Sequence, residues 1–331
     1  MSGPGMNRVT TSPATSVAIM MGLFFGMADG AGAQLYPVKP IRVIVPVAAG
    51  GGSDFVARLV SQKLSEALSQ QVIVDNRPGG GASVGMEQGL RSPADGYTLT
   101  QITPTYTINP SVRPTRMDVL ADYTPIVMQG KGPLVVLAHP SLPARTAKDL
   151  IALAKARPDQ INYGTSGQGT MIHLATEHFL HMAGAKMVHV PYKGGGPALI
   201  DLVAGQIQLL WSPPQTGMPH VRTGKLHAIG VTSIKRFKTV SDVPALAESG
   251  LPGYEATNWH ALIGPKGLPL PIVERLNGEI RKIIATKEIE RLLEANGIEP
   301  EGSMPEQLAV YIRKEFEQWR KLIKATNIKV D

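Results

Sequence analysis

Ile41-Arg42-Val43-Ile44-Val45-Pro46 runs through Val47 and Ala48 into Ala49-Gly50-Gly51-Gly52-Ser53-Asp54 and on to Phe55. The stretch reads as a buried strand, a glycine loop and the start of a helix. Beyond the loop, Phe55, Val56, Leu59, Val60, Leu64, Ala67 and Leu68 recur at three and four residues, which is one face of a helix. The first amides of such a helix have no intrahelical acceptor, and the helix dipole is positive at that end. The junction is therefore a small anion site that needs no basic side chain.

A similar unit follows at once. Gln71-Val72-Ile73-Val74-Asp75-Asn76 reads as a strand, Arg77-Pro78-Gly79-Gly80-Gly81 as a loop and 82–90 as a helix. Much later, Tyr163-Gly164-Thr165-Ser166-Gly167-Gln168-Gly169-Thr170 opens a helix over 171–183, with Ser166 or Thr170 as its cap and the other hydroxyl free. Further strands are expected at 97–102, 133–138, 161–163, 187–190, 207–211 and 227–232. Helices are expected at 147–156, 170–183, 197–204 and 214–222. Strand and helix alternating with short loops predicts an α/β chain with largely parallel sheets. After Pro265 the pattern turns helical, over 271–285, 287–295 and 305–326. No flexible tether separates two halves, so two lobes joined by strands are expected. The crossings would be 135–140 going out and 257–265 coming back, with the C-terminal helices packed on the first lobe.

Residues 1–33 read as an export signal: Arg8, an apolar stretch of about 12 residues over 17–28, and Ala31-Gly32-Ala33 as a cleavage site before Gln34. The apolar stretch is too short to span a bilayer, so a soluble, exported protein cleaved after Ala33 is expected. Roughly 300 residues remain, enough for one large or two modest domains. The chain has no cysteine, which excludes thiolate metal sites, catalytic thiols and disulfides. The formal net charge of +7 draws in anionic solutes. Nucleic acid is not an expected partner, because the basic residues are scattered and aromatic residues make up only 5%.

Other chemistries fare poorly. Gly50-Gly51-Gly52 fails the dinucleotide fingerprint because residue 55 is Phe, and there is no Gly-Lys-Ser/Thr of a P-loop. Asp54 would repel a bound carboxylate and is read as ordering the loop. Arg77 is read as pairing with Asp54 or Asp75. His173, Glu177 and His181 share a helix face, yet they do not form H-E-x-x-H and suggest no outside ligand, so neither metal nor cofactor is expected. Gly164-Thr165-Ser166-Gly167 has the wrong spacing for a nucleophile elbow, and no enzyme activity is expected.

Taken in order, these segments resemble the Bug-type solute receptors of tripartite tricarboxylate transporters over nearly the whole chain after residue 33. The resemblance rests on Val45-Pro46-Val47-Ala48-Ala49-Gly50-Gly51-Gly52-Ser53-Asp54 with Ala57-Arg58, and on Val74-Asp75-Asn76-Arg77-Pro78-Gly79-Gly80-Gly81. Asp95-Gly96-Tyr97-Thr98-Leu99, Asn109-Pro110, the 163–170 loop with His173-Leu174-Ala175 and Glu177, Val190-Pro191-Tyr192-Lys193-Gly194, Pro197-Ala198, Asp201-Leu202 and Gly253-Tyr254-Glu255 continue it.

The resemblance implies a two-lobed periplasmic binding protein, type 2-like, with Venus-flytrap closure. Lobe 1 would comprise 34–136 plus 258–331, and lobe 2 would comprise 137–257. It also implies a carboxylate held by backbone amides, hydroxyls and ordered waters. Carried over, the ligand residues are Ala49, Gly50, Gly51, Gly52 and Ser53 in the first lobe and Ser166, Gly167, Gly169 and Thr170 in the second. Thr103, Thr105, Ser212 and Pro213 would meet the rest of the ligand. Val47 and Gly52 depart from the family, which usually has an aromatic residue and a serine or threonine there. The implied partners are a small organic acid and, transiently, membrane permease subunits, with the receptor a monomer. A sensor presenting the carboxylate to a signalling receptor is the alternative.

Overall fold

The computed structural model describes residues 1–3, 5, 36–112 and 115–326. The export-signal reading, with its cleavage after Ala33, falls outside the described residues. Residues 37–331 form one compact unit. Its first part contains β1 (Ile41–Val45), α1 (Gly52–Leu68), β2 (Val72–Asn76), α2 (Ser83–Leu90), β3 (Thr98–Ile102), α3 (Thr105–Val112) and β4 (Tyr123–Pro133). The middle contains β5 (Val135–Ala138), α4 (Ala147–Ala156), β6 (Asn162–Thr165), α5 (Met171–Ala183), β7 (Val188–Pro191), α6 (Gly195–Val203), β8 (Leu209–Ser212), α7 (Pro214–Arg222) and β9 (His227–Val231). The chain ends with β10 (Thr257–Pro265), α8 (Leu270–Ile284), α9 (Lys287–Ala295), β11 (Glu299–Pro300) and α10 (Pro305–Thr326). Among the described residues no helix is long and apolar enough to cross a membrane.

Two sheets result, one per lobe. The first is six-stranded in the order β11-β4-β10-β3-β1-β2, the second five-stranded in the order β7-β6-β8-β5-β9. Both are mixed rather than largely parallel. Only β1 with β2 and β3, and β6 with β7 and β8, pair in parallel; β4, β5, β10 and β11 pair antiparallel. The antiparallel strands are the ones that connect the lobes or lie beside those connections. A crossing strand enters its second sheet without a helical crossover, so it need not run parallel.

The outward crossing is the single residue Leu134, between β4 and β5. Thr232, just after β9, stitches this crossing to the returning one. Leu134 N–H donates to Thr232 Oγ1 at 2.8 Å and Thr232 N–H donates to the Leu134 carbonyl at 2.9 Å. Thr232 Oγ1 then donates to the Ala256 carbonyl at 2.6 Å, and Ala256 N–H to the Thr232 carbonyl at 2.9 Å. All four bonds join buried residues, so the loss of any partner leaves a donor or acceptor without water.

Along β10 the faces alternate with period two. Trp259, Ala261 and Ile263 pack with Ile102, Met128, Leu308 and Ile312 in one core, which turns Asn258 and His260 to the opposite face. In the second lobe, the Phe179 ring meets Trp211 edge-on at 5.3 Å and Tyr254 edge-on at 6.1 Å. Such contacts add about 0.5–1.5 kcal/mol each beyond area burial. The last helix is not confined to the first lobe. Leu308 and Ile312 belong to the core around Trp259, whereas Trp319 and Ile323 belong to the core around Trp211.

Candidate functional site

Five helix starts meet at one cavity between the two sheets, with a volume of about 60 Å³. Gly51, Gly52 and Ser53 line it from α1, Thr105 from α3, and Met171 and Ile172 from α5. Gly195 contributes from α6, and Pro213 and Thr216 from the start of α7. The remaining wall is Val47, Thr103, Leu134, Ser166, Asn258 and His260. Among the described residues no Asp, Glu, Lys or Arg lines it.

The helices that point here are left open at their ends. At α1, α5, α6 and α7 no side chain of the N-cap residue accepts a first-turn amide. By contrast, α4 carries a full capping box from Thr146 and Asp149, and Thr286 caps α9. In α1 the first intrahelical bond is Phe55 N–H to the Gly51 carbonyl at 3.0 Å, so the amides of Gly52, Ser53 and Asp54 precede the ladder. Each helix start carries about half a positive charge, and converging starts add their fields in a dry cavity.

The first loop is held from behind. Asp54 Oδ2 accepts the Gly50 amide at 3.1 Å and Arg58 Nε at 3.0 Å, while Asp54 Oδ1 accepts from Asn76 Nδ2 at 3.0 Å. Asn76 Nδ2 also donates to the Val47 carbonyl at 3.0 Å. Burial pulls the Asp54 carboxyl up, but the bonds from Arg58, Gly50 and Asn76 together outweigh it and hold the group below its usual range. It is an anion turned into its own loop. Arg77 pairs with Asp75 at 2.9 Å, on the surface.

The second loop spends its donors internally. Gly167 N–H donates to Thr165 Oγ1 at 3.2 Å, Gly169 N–H to His173 Nδ1 at 3.1 Å and Thr170 N–H to the Gly167 carbonyl at 3.3 Å. Thr170 Oγ1 donates to Gly167 as well, and Ser166 Oγ donates to Thr170 Oγ1 at 3.0 Å. Neither hydroxyl caps α5, contrary to the expectation from sequence. The cap comes from the other lobe, where Thr105 Oγ1 accepts the Met171 amide at 3.0 Å. His173 is buried and braces the loop, and among the described residues no cluster suited to a metal occurs.

Of the residues expected at the ligand, Gly51, Gly52, Ser53, Thr103, Thr105, Ser166 and Pro213 are brought together at the cavity. Ala49, Gly50, Gly167, Gly169, Thr170 and Ser212 are not among its lining. Gly50 is committed to Asp54, and Ser212 Oγ contacts Thr216 Oγ1 at 2.9 Å. Sequence reasoning missed Gly195, Asn258 and His260. Several buried polar atoms here have no protein partner: Ser53 Oγ, His260 Nδ1, and both amide atoms of Gln215 beside Gly52. Unsatisfied buried groups gathered in one place call for a ligand or water.

The lobes touch through glycine. Ala48 N–H donates to the Lys193 carbonyl at 3.1 Å. A Cβ on Gly196 would stand 2.8 Å from the Ala49 carbonyl oxygen, and one on Gly52 would stand 2.4 Å from Gln215 Nε2 and 2.9 Å from Pro213 Cγ. A larger cleft of about 470 Å³ behind β10 is lined by Glu255, Lys314 and Glu315 among others. It has charges of both signs and no converging helix starts.

One pentapeptide, Gly81-Ala82-Ser83-Val84-Gly85, carries nucleophile-elbow spacing. Ser83 Oγ donates to the Gly80 carbonyl at 2.8 Å and lies 3.5 Å from Asn109 Nδ2, and neither partner is a general base.

Residues 56–328 match the family model described as tripartite tricarboxylate transporter family receptor. The chain belongs to that receptor family. This Bug-type receptor is 33% identical to Protein BugT of Bordetella pertussis over 322 residues, covering 96% of this chain and 99% of that one. The structure of an R. palustris protein with adipate aligns with a TM-score of 0.86 at 33% identity, covering 89% of this chain and 99% of that one. The periplasmic binding protein BugD aligns with a TM-score of 0.86 at 29% identity, again over 89% and 99%. The receptor thus shares the α/β two-lobed fold of periplasmic binding proteins.

Proposed function

We propose that this receptor is exported to the periplasm, captures a small organic carboxylate between its lobes, and delivers it as a monomer to tripartite tricarboxylate-type permease subunits. Lobe 1 is assigned 34–136 plus 258–331 and lobe 2 is assigned 137–257, and the protein performs no catalysis. The observation that carries the reading is the convergence of five helix starts, three of them (α1, α6 and α7) without a side-chain cap from their N-cap residue and a fourth, α5, capped only by Thr105 across the cavity, on a lining in which no described residue is an Asp, Glu, Lys or Arg. A carboxylate there accepts several N–H bonds in a site sheltered from water, each stronger than its neutral counterpart. Cationic ligands would face the wrong end of every dipole. The R. palustris relative solved with adipate supports an organic acid as the ligand class.

Closure follows from the same contacts. A ligand shifts the equilibrium only by the difference in its affinity for the two states, and a carboxylate that bridges α1 and α5 meets both partners only when the lobes are shut. A thermal-shift screen of organic acids at fixed ionic strength tests the reading, because a ligand bound only to the folded state raises the melting temperature by mass action. Carboxylates should raise it while amines and neutral sugars leave it in place. A panel in which no carboxylate does so refutes the proposal.

A further inference from the structure

His260 is a buried histidine that lines the cavity with a hydrogen to give and, among the described residues, nothing to receive it. It is 1% exposed, lines the cavity, and its Nδ1 has no partner. Its Nε2 lies 3.3 Å from Asn258 Nδ2, two residues earlier on the same face of β10. An amide nitrogen can only donate, so Nε2 is the acceptor and the ring hydrogen sits on Nδ1. Burial pushes the ring pKa down to about 4, which keeps the imidazole neutral and this tautomer in place above that pH. An unpaired N–H in such a place costs free energy unless a ligand atom accepts from it.

The position of the ring in the sheet says which part of a ligand it would meet. Ala261 pairs with Ile102, so His260 stands beside Thr103, past the end of β3. The neighbouring strand on the far side is β1, whose loop leads to the α1 amides. Two strand spacings, about 10 Å between backbones, therefore separate His260 from that loop. With the side chains reaching inward, a short acid spans the gap.

We infer that the Nδ1–H of His260, oriented by Asn258, donates to a second oxygen of the bound acid and selects acids that carry one over plain alkanoates. The inference rests on the carboxylate reading above and assigns the other end of the ligand. Ser53 and the α1 amides take the first carboxylate, and His260 reads a hydroxyl, carbonyl or second carboxylate further along. Asn258 is a positioning residue, since it fixes which ring nitrogen carries the hydrogen.

Calorimetric titration of matched pairs, butyrate against succinate and hexanoate against adipate, tests this. In the parent protein at least one diacid should bind about tenfold or more tightly than its monoacid, the worth of one hydrogen bond to a charged acceptor. His260→Leu should remove that preference by weakening the diacid alone. His260→Asn, whose amide places an N–H near the position of Nδ1, should restore part of it. Retention of the preference in His260→Leu, or its absence in the parent, overturns the inference and leaves the carboxylate reading standing. If none of the four acids binds the parent, the inference fails, and the carboxylate reading is decided by the full screen. Should His260→Leu not fold, the ring nitrogen spectrum of the parent decides: a Nδ1–H resonance that shifts on adding the preferred diacid supports the contact, and one that stays in place overturns it.

Discussion

Thr105 Oγ1 accepts the Met171 amide at 3.0 Å, so α5, which follows β6 of the second sheet, is capped from α3, which follows β3 of the first. Both residues line the candidate cavity. Opening of the lobes is expected to break this bond and let water take its place.

Thr105→Val keeps the shape and removes the acceptor. The Met171 amide is then buried unpaired in the closed form and hydrated in the open one, a difference of about 1–3 kcal/mol. The dissociation constant of the best acid from the screen should rise roughly 5- to 100-fold by calorimetry. An unchanged constant would show that the bond does not take part in closure.

A carboxylate placed at residue 53 separates fold from binding. Ser53 lies in the first turn of α1, where a negative side chain favours the helix dipole by a few tenths of a kcal/mol up to about 1. That gain offsets only part of the cost of burying the new carboxylate, so Ser53→Asp should fold with a melting temperature at or below the parent's without ligand. The same charge opposes an anion in the cavity, at about 2–4 kcal/mol for groups a few ångströms apart. Binding of any carboxylate should become undetectable in the thermal-shift assay, and survival of binding would place the anion elsewhere.

Gly196→Val addresses closure. The added carbon would sit 2.8 Å from a backbone oxygen of the other lobe, and backbone cannot swing aside as a long side chain can. Small-angle scattering should show the parent compacting on addition of acid and the variant keeping its ligand-free radius. Equal compaction in both would mean that α6 does not approach the 48–50 loop in the closed state.

Glu315 gives a pH test. It is buried on α10, with Oε1 2.5 Å from Trp259 Nε1 and Oε2 2.7 Å from Thr107 Oγ1. Thr107 Oγ1 also lies 2.8 Å from the Pro104 carbonyl. With a single hydroxyl hydrogen, Thr107 can satisfy both contacts only if the carboxyl donates to it. Burial raises the Glu315 pKa from 4.5 to about 7, in line with a protonated group. Between these values the unfolded chain releases a proton that the folded chain keeps. Stability from this group is thus complete below pH 4.5 and lost as pH rises to about 7, by about 3 kcal/mol at most. Buried His189 and His260, held down to about 4, act with the opposite sign below pH 6.5, so variant and parent must be compared at equal pH. Glu315→Gln supplies the same donor and acceptor without the charge. In urea titrations it should match the parent near pH 4.5 and exceed it at pH 8, and equal stability at both would contradict the assignment.

Much of this architecture could be read from periodicity, and the failures have physical reasons. Helices α4, α7, α9 and α10 fall where three-and-four spacing and their first residues put them. Strand β4 escaped notice because Gly130-Lys131-Gly132 reads as a loop; it is a strand because β10 and β11 pair with it on both sides, and tertiary pairing overrides weak propensity. At the site, the α1 loop was legible because its glycines and its helix start are adjacent in sequence. Gly167, Gly169 and Thr170 stand off the cavity lining with their donors bonded within the loop, and no sequence pattern announces that a glycine loop turns its amides on itself. Asn258 and His260 were passed over because 257–265 was read as a connection. The alternation Asn258-Trp259-His260-Ala261, polar and apolar by turns, was the available signal of a strand with one face on a cavity.

The final helix has its early turns seated under one sheet and its late turns under the other. At 22 residues it is a rod about 33 Å long, anchored at both ends. Any swing of the lobes must bend this rod or lift Trp319 and Ile323 from their seats. The apolar stripe of its last turns is therefore a tie between the two cores, and a receptor trimmed ahead of Trp319 would lose that tie however well its pocket was formed.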